Sequence, residues 1–291
     1  MEKNLMAKPP SQSDVEQLIR ASESIPPFPD VIWKVIPLIR RAAPVHEIEA
    51  VIQYDQAITA KLLALSQSSY YAGRYSIGTV KEAVLRLGEQ QLLKVILAAS
   101  SSRYFKSGAA GYDLMEGELW EHAIATALMT EIVAAGLGWN NSVAAYTAGL
   151  LHDVGKTVLN YYVETYFDSI FRLAREQNVS FLDAERQVLG LDHQQLGMRI
   201  ARRWRFPEEV VMAIGHHHRP TQAPRHRHLV HLIYVANRMV SALGVGCGVD
   251  GFMQPNQDEA FVELGITALM AQKYLADLAV ALREVKQFLS N

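Results

Sequence analysis

A single cysteine, Cys247, is all the thiol chemistry this 291-residue chain carries. One thiol cannot close an internal disulfide, and such scarcity fits a reducing compartment. Flanked by Gly246 and Gly248, it reads as a small packing residue and not as a reactive group. Long apolar runs are missing too. The stretches around Val95–Ala99 and Tyr274–Leu282 fall short of, or interrupt, the roughly 20 residues a membrane span needs. Met1–Pro10 holds Glu2, Lys3, Lys8 and two prolines, and no apolar core of a signal peptide follows. Nor is there an excess of charge: the net charge of -2 gives no support for whole-molecule attraction to nucleic acid or anionic lipid. Strand signals are absent as well, since no alternating apolar stretch is bounded by a hairpin turn. The expectation is a soluble, cytoplasmic, all-α protein with neither a membrane nor a nucleic-acid partner.

What is present is core material in helical rhythm. Apolar residues make up 49% of the chain and charged residues 20%, enough to bury a real interior. Ser13 and Glu16 read as a capping box whose helix stops before Pro26-Pro27. Val31, Val35, Leu38 and Ile39 recur at helical spacing, with Pro37 expected to kink that helix or end it early. Helices follow over Val45–Gln53 and Ala57–Ser66, then a turn-rich connector, Ser68–Gly78. Thr79 should cap a helix through Leu87, with Gly88 as its left-handed stop and a new helix over Glu89–Ser100. Ser101–Gly117, with its small-residue run Ser107–Gly111, is the best internal boundary and reads as a flexible linker or loop. Beyond it, helices are expected near Glu118–Ala135, Ser142–His152, Glu164–Gln177, Phe181–Gly190, Gln194–Arg203, Glu208–His217, Leu229–Leu243 and Ile266–Phe288, with a loop over Gly244–Asn256.

Chemistry gathers around His152-Asp153, followed by Val154-Gly155-Lys156. An imidazole and a carboxylate side by side at a helix end offer two ligands to a divalent ion. One such dipeptide is weak, but its surroundings repeat the theme. Trp120-Glu121-His122 lies one helix earlier, where Glu118 and His122 share a face. His193 opens a later helix and His216-His217-His218 closes the next. Imidazole with carboxylate suits Fe, Mn, Zn or Ni. Each residue also has a plain alternative. His122 reads equally as a half-buried polar side chain, His193 as a solvated first-turn residue, and the triplet as an exposed helix end. Lys156 and Glu118 read by default as surface charges. The basic run from Arg219 to His231 lacks interleaved aromatics, so it reads as a mobile loop and not as a nucleic-acid surface.

Taken in order, these segments resemble the HDOD family, related to the HD and HD-GYP phosphohydrolases. The likeness runs from about Ile25 to Pro220 and more weakly through Met239. Ile25-Pro26-Pro27-Phe28-Pro29 resembles the family's proline-rich opening, and Asp55–Leu63 its "D-P-x-L-T-A-x-L-L" helix. Ser69–Gly73 matches the next loop and Ala83–Gly88 the next helix. Leu150–Lys156 is the HD signature, preceded by the "W-x-H" helix at Trp120–His122. Leu189–His193, Trp204-Arg205-Phe206-Pro207 and His217-His218-Arg219-Pro220 follow in family order. The resemblance implies an N-terminal helical subdomain, residues 1–110, packed on an HD-like helical subdomain, residues 111–291. It places His122, His152 and Asp153 at a first metal and His193, His217 and His218 where HD-GYP enzymes hold further metals. Glu118 falls where some of those enzymes supply an extra carboxylate.

Two departures weigh against catalysis. Asn237 stands where the family pattern ends its ligand set with an aspartate, and an uncharged amide binds divalent ions less strongly. It also weakens the acidification of a bound water. No "D-G-x-G-Y-P" loop follows His218, so the motif for cyclic di-GMP hydrolysis is missing. The leading expectation is a non-catalytic bacterial signalling module that works through contacts with a protein partner. Its alternative is a metal-dependent phosphohydrolase acting on a nucleotide or cyclic nucleotide, with Lys156 steadying a phosphate oxygen. A scaffold without metal is the third.

Overall fold

The computed structural model describes residues 12–67, 77–105, 107–252 and 259–289. They form an all-helical assembly whose only β contact is the isolated bridge between Ala109 and Leu114. No described helix is long and apolar enough to cross a membrane.

The first half is built from α1 (Gln12–Ser24), α2 (Asp30–Arg40), α3 (Val45–Gln53), α4 (Gln56–Ser66) and α5 (Val80–Phe105). Helix α1 already includes Gln12, so Ser13 lies inside the first turn and is not its N-cap. Helix α2 carries Pro37 through to Arg40: near a C-terminus the missing amide costs a single ladder bond. Thr79 does cap α5, since its hydroxyl accepts from the Glu82 amide at 3.1 Å while Glu82 Oε2 accepts from the Thr79 amide. Gly88 interrupts α5 with φ 70° and ψ 168°. The positive φ was legible, but ψ lies outside the left-handed helical well, in a region essentially reserved for glycine. The expected loop at Ser69–Gly73 lies outside the described residues.

The second half begins with a 3₁₀ turn, Ala110–Tyr112, then α6 (Glu118–Gly136), α7 (Ser142–Leu151), α8 (Lys156–Thr165) and α9 (Phe167–Gln177). There follow α10 (Phe181–Leu189), α11 (His193–Arg203), α12 (Glu208–His216), α13 (Arg227–Ala242), α14 (Val249–Phe252), α15 (Glu259–Glu263) and α16 (Ala268–Leu289). Helix α8 was not foreseen; the reading began a helix only at Glu164, whereas the chain turns helical at Lys156 and breaks at Tyr166. The small-residue run near Gly108 is no loose tether. Ala109, Gly111 and Tyr112 are buried, and the Gly111 amide donates to Asn160 Oδ1 at 2.8 Å. A Cβ on Gly111 would stand 2.5 Å from the Asn160 carbonyl, so smallness here serves close packing on α8. The basic run after Arg219 likewise contains a 3₁₀ turn at Pro220–Gln222 and is helical from Arg227.

Aromatic packing joins the proline-rich opening to the second half. Phe28 packs tilted against Trp204 at 5.3 Å and edge-to-face against Phe206 at 5.1 Å, measured between ring centroids. Trp204 Nε1 donates to the Pro26 carbonyl at 3.1 Å, and Tyr104 closes on Trp204 at 4.5 Å. The family-like Trp204-Arg205-Phe206-Pro207 segment is therefore a clasp. Deeper in, α6 and α7 press together at Gly149, where a Cβ would meet Thr130 Oγ1 at 2.7 Å. Helices α11 and α12 pair similarly through Gly197 and Ile214.

Candidate metal centre

The ends of three helices and the flanks of two others converge on Asp153. His122 comes from the second turn of α6, and His152-Asp153 follows the last turn of α7. His193 opens α11, and His217-His218 follows α12. Asn237 lies along α13. His152, Asp153, His193 and His217 have no solvent exposure at all. His122 and His218 are also buried.

Two donor sets share the carboxylate. His122, His152 and Asp153 offer ligand atoms that all lie within 4.8 Å of one another, as do Asp153, His193, His217 and His218. The carboxylate divides itself between them. Oδ2 lies 3.3 Å from His152 Nε2 and 3.8 Å from His122 Nε2. Oδ1 lies 3.4 Å from His217 Nε2 and 3.7 Å from His193 Nε2. Asn237 Oδ1 sits 3.0 Å from His122 Nε2, at the edge of the first set.

The imidazoles are held in one tautomer by their outer partners. Nδ1 of His122 donates to the Val245 carbonyl, that of His152 to Gly149, and that of His217 to Ile214, at 2.7–2.9 Å. A carbonyl can only accept, so each Nδ1 carries the proton and a neutral ring turns its Nε2 lone pair inward. His193 does the same through Glu185, whose Oε2 lies 2.8 Å from Nδ1 and also accepts from the His193 amide. Tyr112 donates to the other Glu185 oxygen at 2.8 Å. Nε2 of His152, His193 and His217 is buried and finds no hydrogen-bond partner among the described residues. Buried polar atoms left this way are costly. Inward lone pairs with outer Nδ1 partners are the pattern by which proteins orient metal-ligating histidines. The donor set fits a divalent cation.

Electrostatics agree. Burial presses His122 and His217 down to about 4, with the neighbouring His152 adding to the effect, so both are neutral near pH 7. Burial likewise lowers His218 well below the usual histidine range. Burial also disfavours charge on His193, but the Glu185 carboxylate outweighs it and raises that group. For Asp153 burial is outweighed by His152 and Lys156, which hold the carboxyl well below its ordinary range.

Lys156 is not at the surface. Its ammonium lies 2.7 Å from Asp153 Oδ2 and 2.7 Å from Asp250 Oδ2, beneath the Tyr112 ring. Glu118 stays outside both donor sets: it is partly exposed, and its Oε2 accepts from the Met115 amide at 2.8 Å, bracing the turn that leads into its own helix. His216 is half-buried and belongs to neither set, so only two of the three consecutive histidines turn inward.

Sequence reasoning missed Glu185, Asp250 and Tyr112. Glu185 had a signal: it falls on the apolar stripe of α10 with Phe181 and Leu189, where a carboxylate needs a partner. Asp250 had none, because it reaches Lys156 from a segment read as a glycine-rich loop.

Comparison with known proteins places the chain. The HDOD domain matches residues 25–220, and the chain belongs to that family. A Geobacter sulfurreducens HDOD domain protein of unknown function superposes with a TM-score of 0.73 at 23% identity, covering 95% of this chain and 98% of that one. A Shewanella amazonensis protein provisionally described as a phosphohydrolase gives 0.71 at 21% identity, covering 94% and 97%. At such identities the likeness speaks for the fold. An uncharacterised Treponema pallidum protein is 25% identical over 224 residues, 76% of this chain and 43% of that protein. Ribonuclease Y of Thermus thermophilus is 32% identical over 143 residues, 49% of this chain and 19% of the enzyme. The chain thus spans less than half the length of these curated relatives.

Proposed function

We propose that this HDOD domain is a non-catalytic signal-transduction module whose histidine cluster holds a divalent transition metal, Fe, Mn, Zn or Ni, as an internal fastener or sensor. Its output is contact with a signalling partner protein. The carrying observation is enclosure: the donors around Asp153 are buried, and Oδ2 of that carboxylate is covered by Lys156, which Asp250 holds in turn. A substrate phosphate would need to displace that pairing to reach Lys156. Charge supports the cation. The buried carboxylates of Asp153, Asp250 and Glu185 face one ammonium, Lys156, and the His193 ring whose proton Glu185 favours, which leaves an excess of negative charge for a bound cation to offset. Asp153, His193, His217 and His218 would ligate it, with His122, His152 and Asn237 at the flank. The ion would tie together the ends of α7, α11 and α12.

A second reading, a phosphohydrolase, draws on one observation: a carboxylate shared between two donor sets is an arrangement suited to two ions. A bound metal would supply Lewis acidity there, while Lys156 would orient an anionic substrate. Elemental analysis of the purified chain, followed by assays on phosphodiesters, nucleotides and short RNA, separates the readings. Metal without turnover supports the module. Turnover that disappears in His152→Ala establishes the enzyme, and absence of metal overturns both.

A further inference from the structure

Helix α11 turns two faces to two different environments. Its inner face bears His193 on the metal centre and Gly197 packed against Ile214 and Gly155. Its outer face, Gln195, Met198, Arg199 and Arg202, borders a cavity of about 840 Å³ against the end of α1. Leu191, Arg203, Ser22 and Glu23 complete the lining. Three guanidinium groups and one carboxylate give this hollow a positive balance, although the whole chain is at -2.

The arginines are available. All three are exposed, and among the described residues Arg199 and Arg203 have no carboxylate within ion-pair distance. Arg202 makes only a loose surface pair with Glu208 at 3.8 Å. Guanidinium forks match phosphate oxygens two at a time. Positions 199 and 203 stand about 6 Å apart along a helix, a span that takes more than one anionic group. Leu191 and Met198 add an apolar floor, and the volume lies in the range of small-molecule sites.

We propose that the seam between α1 and α11 binds an organic di- or triphosphate of nucleotide size, with Arg199, Arg202 and Arg203 on its phosphates and Leu191 and Met198 beneath its apolar part. The site is separate from the histidine cluster and does not depend on metal there. Its position gives it leverage. Gln195 forms the capping box of α11 with Asp192, directly beside His193, so a ligand gripping this face bears on the first turn of the helix that enters the centre.

Calorimetric titration of the full chain with ADP and with pyrophosphate, in the presence of a chelator, tests this. Saturable binding of both is expected, tighter for ADP, and at least tenfold weaker in the doubly charge-reversed Arg199→Glu, Arg203→Glu variant. His152→Ala should leave it unchanged. These arginines are exposed, so the reversed variant should fold, which circular dichroism checks; Arg199→Gln gives a milder second variant. No saturation in the millimolar range, or equal affinity in the charge-reversed protein, would overturn the proposal. So would binding lost in His152→Ala but kept in the arginine variants. Metal content is read independently, so the two readings can fail separately.

Discussion

Nε2 of His122 and Oδ1 of Asn237 face each other at 3.0 Å inside the protein. The His122 proton is committed to Val245 on the far side of the ring, so two electron-pair donors meet there. A cation between them reconciles the pair, and so does a turned amide that donates from Nδ2. An aspartate has no amide to turn, and its charge favours the first course. Asn237→Asp is expected to raise metal affinity about tenfold or more, since it restores an anionic ligand. Competition with a graded chelator, read by elemental analysis, checks this; unchanged retention would remove Asn237 from the coordination sphere.

Glu185 orients His193 and is itself held by Tyr112. Partners of this kind usually matter for metal affinity by about 10–100-fold. Glu185→Gln should lower affinity in that range while keeping the far-ultraviolet spectrum, and Glu185→Ala should lower it further. Equal metal affinity in all three proteins would show that His193 needs no orientation or does not ligate.

Gly155 follows the His-Asp pair for a steric reason. A Cβ there would lie 1.9 Å from the His193 carbonyl and 2.8 Å from the Gly197 amide, both backbone atoms that cannot step aside. Its own φ of -64° is ordinary, so backbone strain is not the cause. Gly155→Ala should cost about 1–3 kcal/mol by overpacking, seen as a Tm lower by several degrees and weaker metal retention. Wild-type stability in this variant would mean that α8 and α11 separate easily.

The metal-free protein should lose stability in acid earlier than its carboxylates alone would dictate. His122 and His217 protonate near 6.5 when unfolded but only near 4 in the buried site. Between those values the unfolded chain binds more protons, so stability falls as pH drops through that window and levels below it. Urea midpoints of chelated protein from pH 7 to 4 measure this. A His122→Gln, His217→Gln variant should show a shallower slope, and an identical slope would mean that these rings are solvated.

Much of this architecture was legible from residue order, for identifiable reasons. Helix ends at Gln53, Gln177 and Ser66 follow from local breaks in apolar period, and the helical class from the lack of alternation. Bringing His122, His152, Asp153, His193 and His217 together needed the family resemblance, because their convergence depends on helix packing that no local pattern encodes. Helix α8 was missed although Val158, Leu159, Tyr162, Val163 and Tyr166 recur at helical spacing, because it opens at Gly155 with no side-chain cap to mark its start. Lys156 was read as exposed because the neutralising Asp250 lies 94 positions downstream by the residue numbering. Glu118 was grouped with His122 on helical spacing alone, whereas its carboxylate accepts from the Met115 amide.

The packing of Phe28 against Trp204 and Phe206 has a practical corollary for anyone dividing the chain. A fragment beginning after the small-residue run would uncover two large rings and orphan an indole nitrogen that now donates to Pro26. Such a piece would be sticky in solution and short of one wall of the cavity beside α11. Anyone wishing to study the centre by itself will need the opening segment attached, because the front of the molecule serves as the lining of its back.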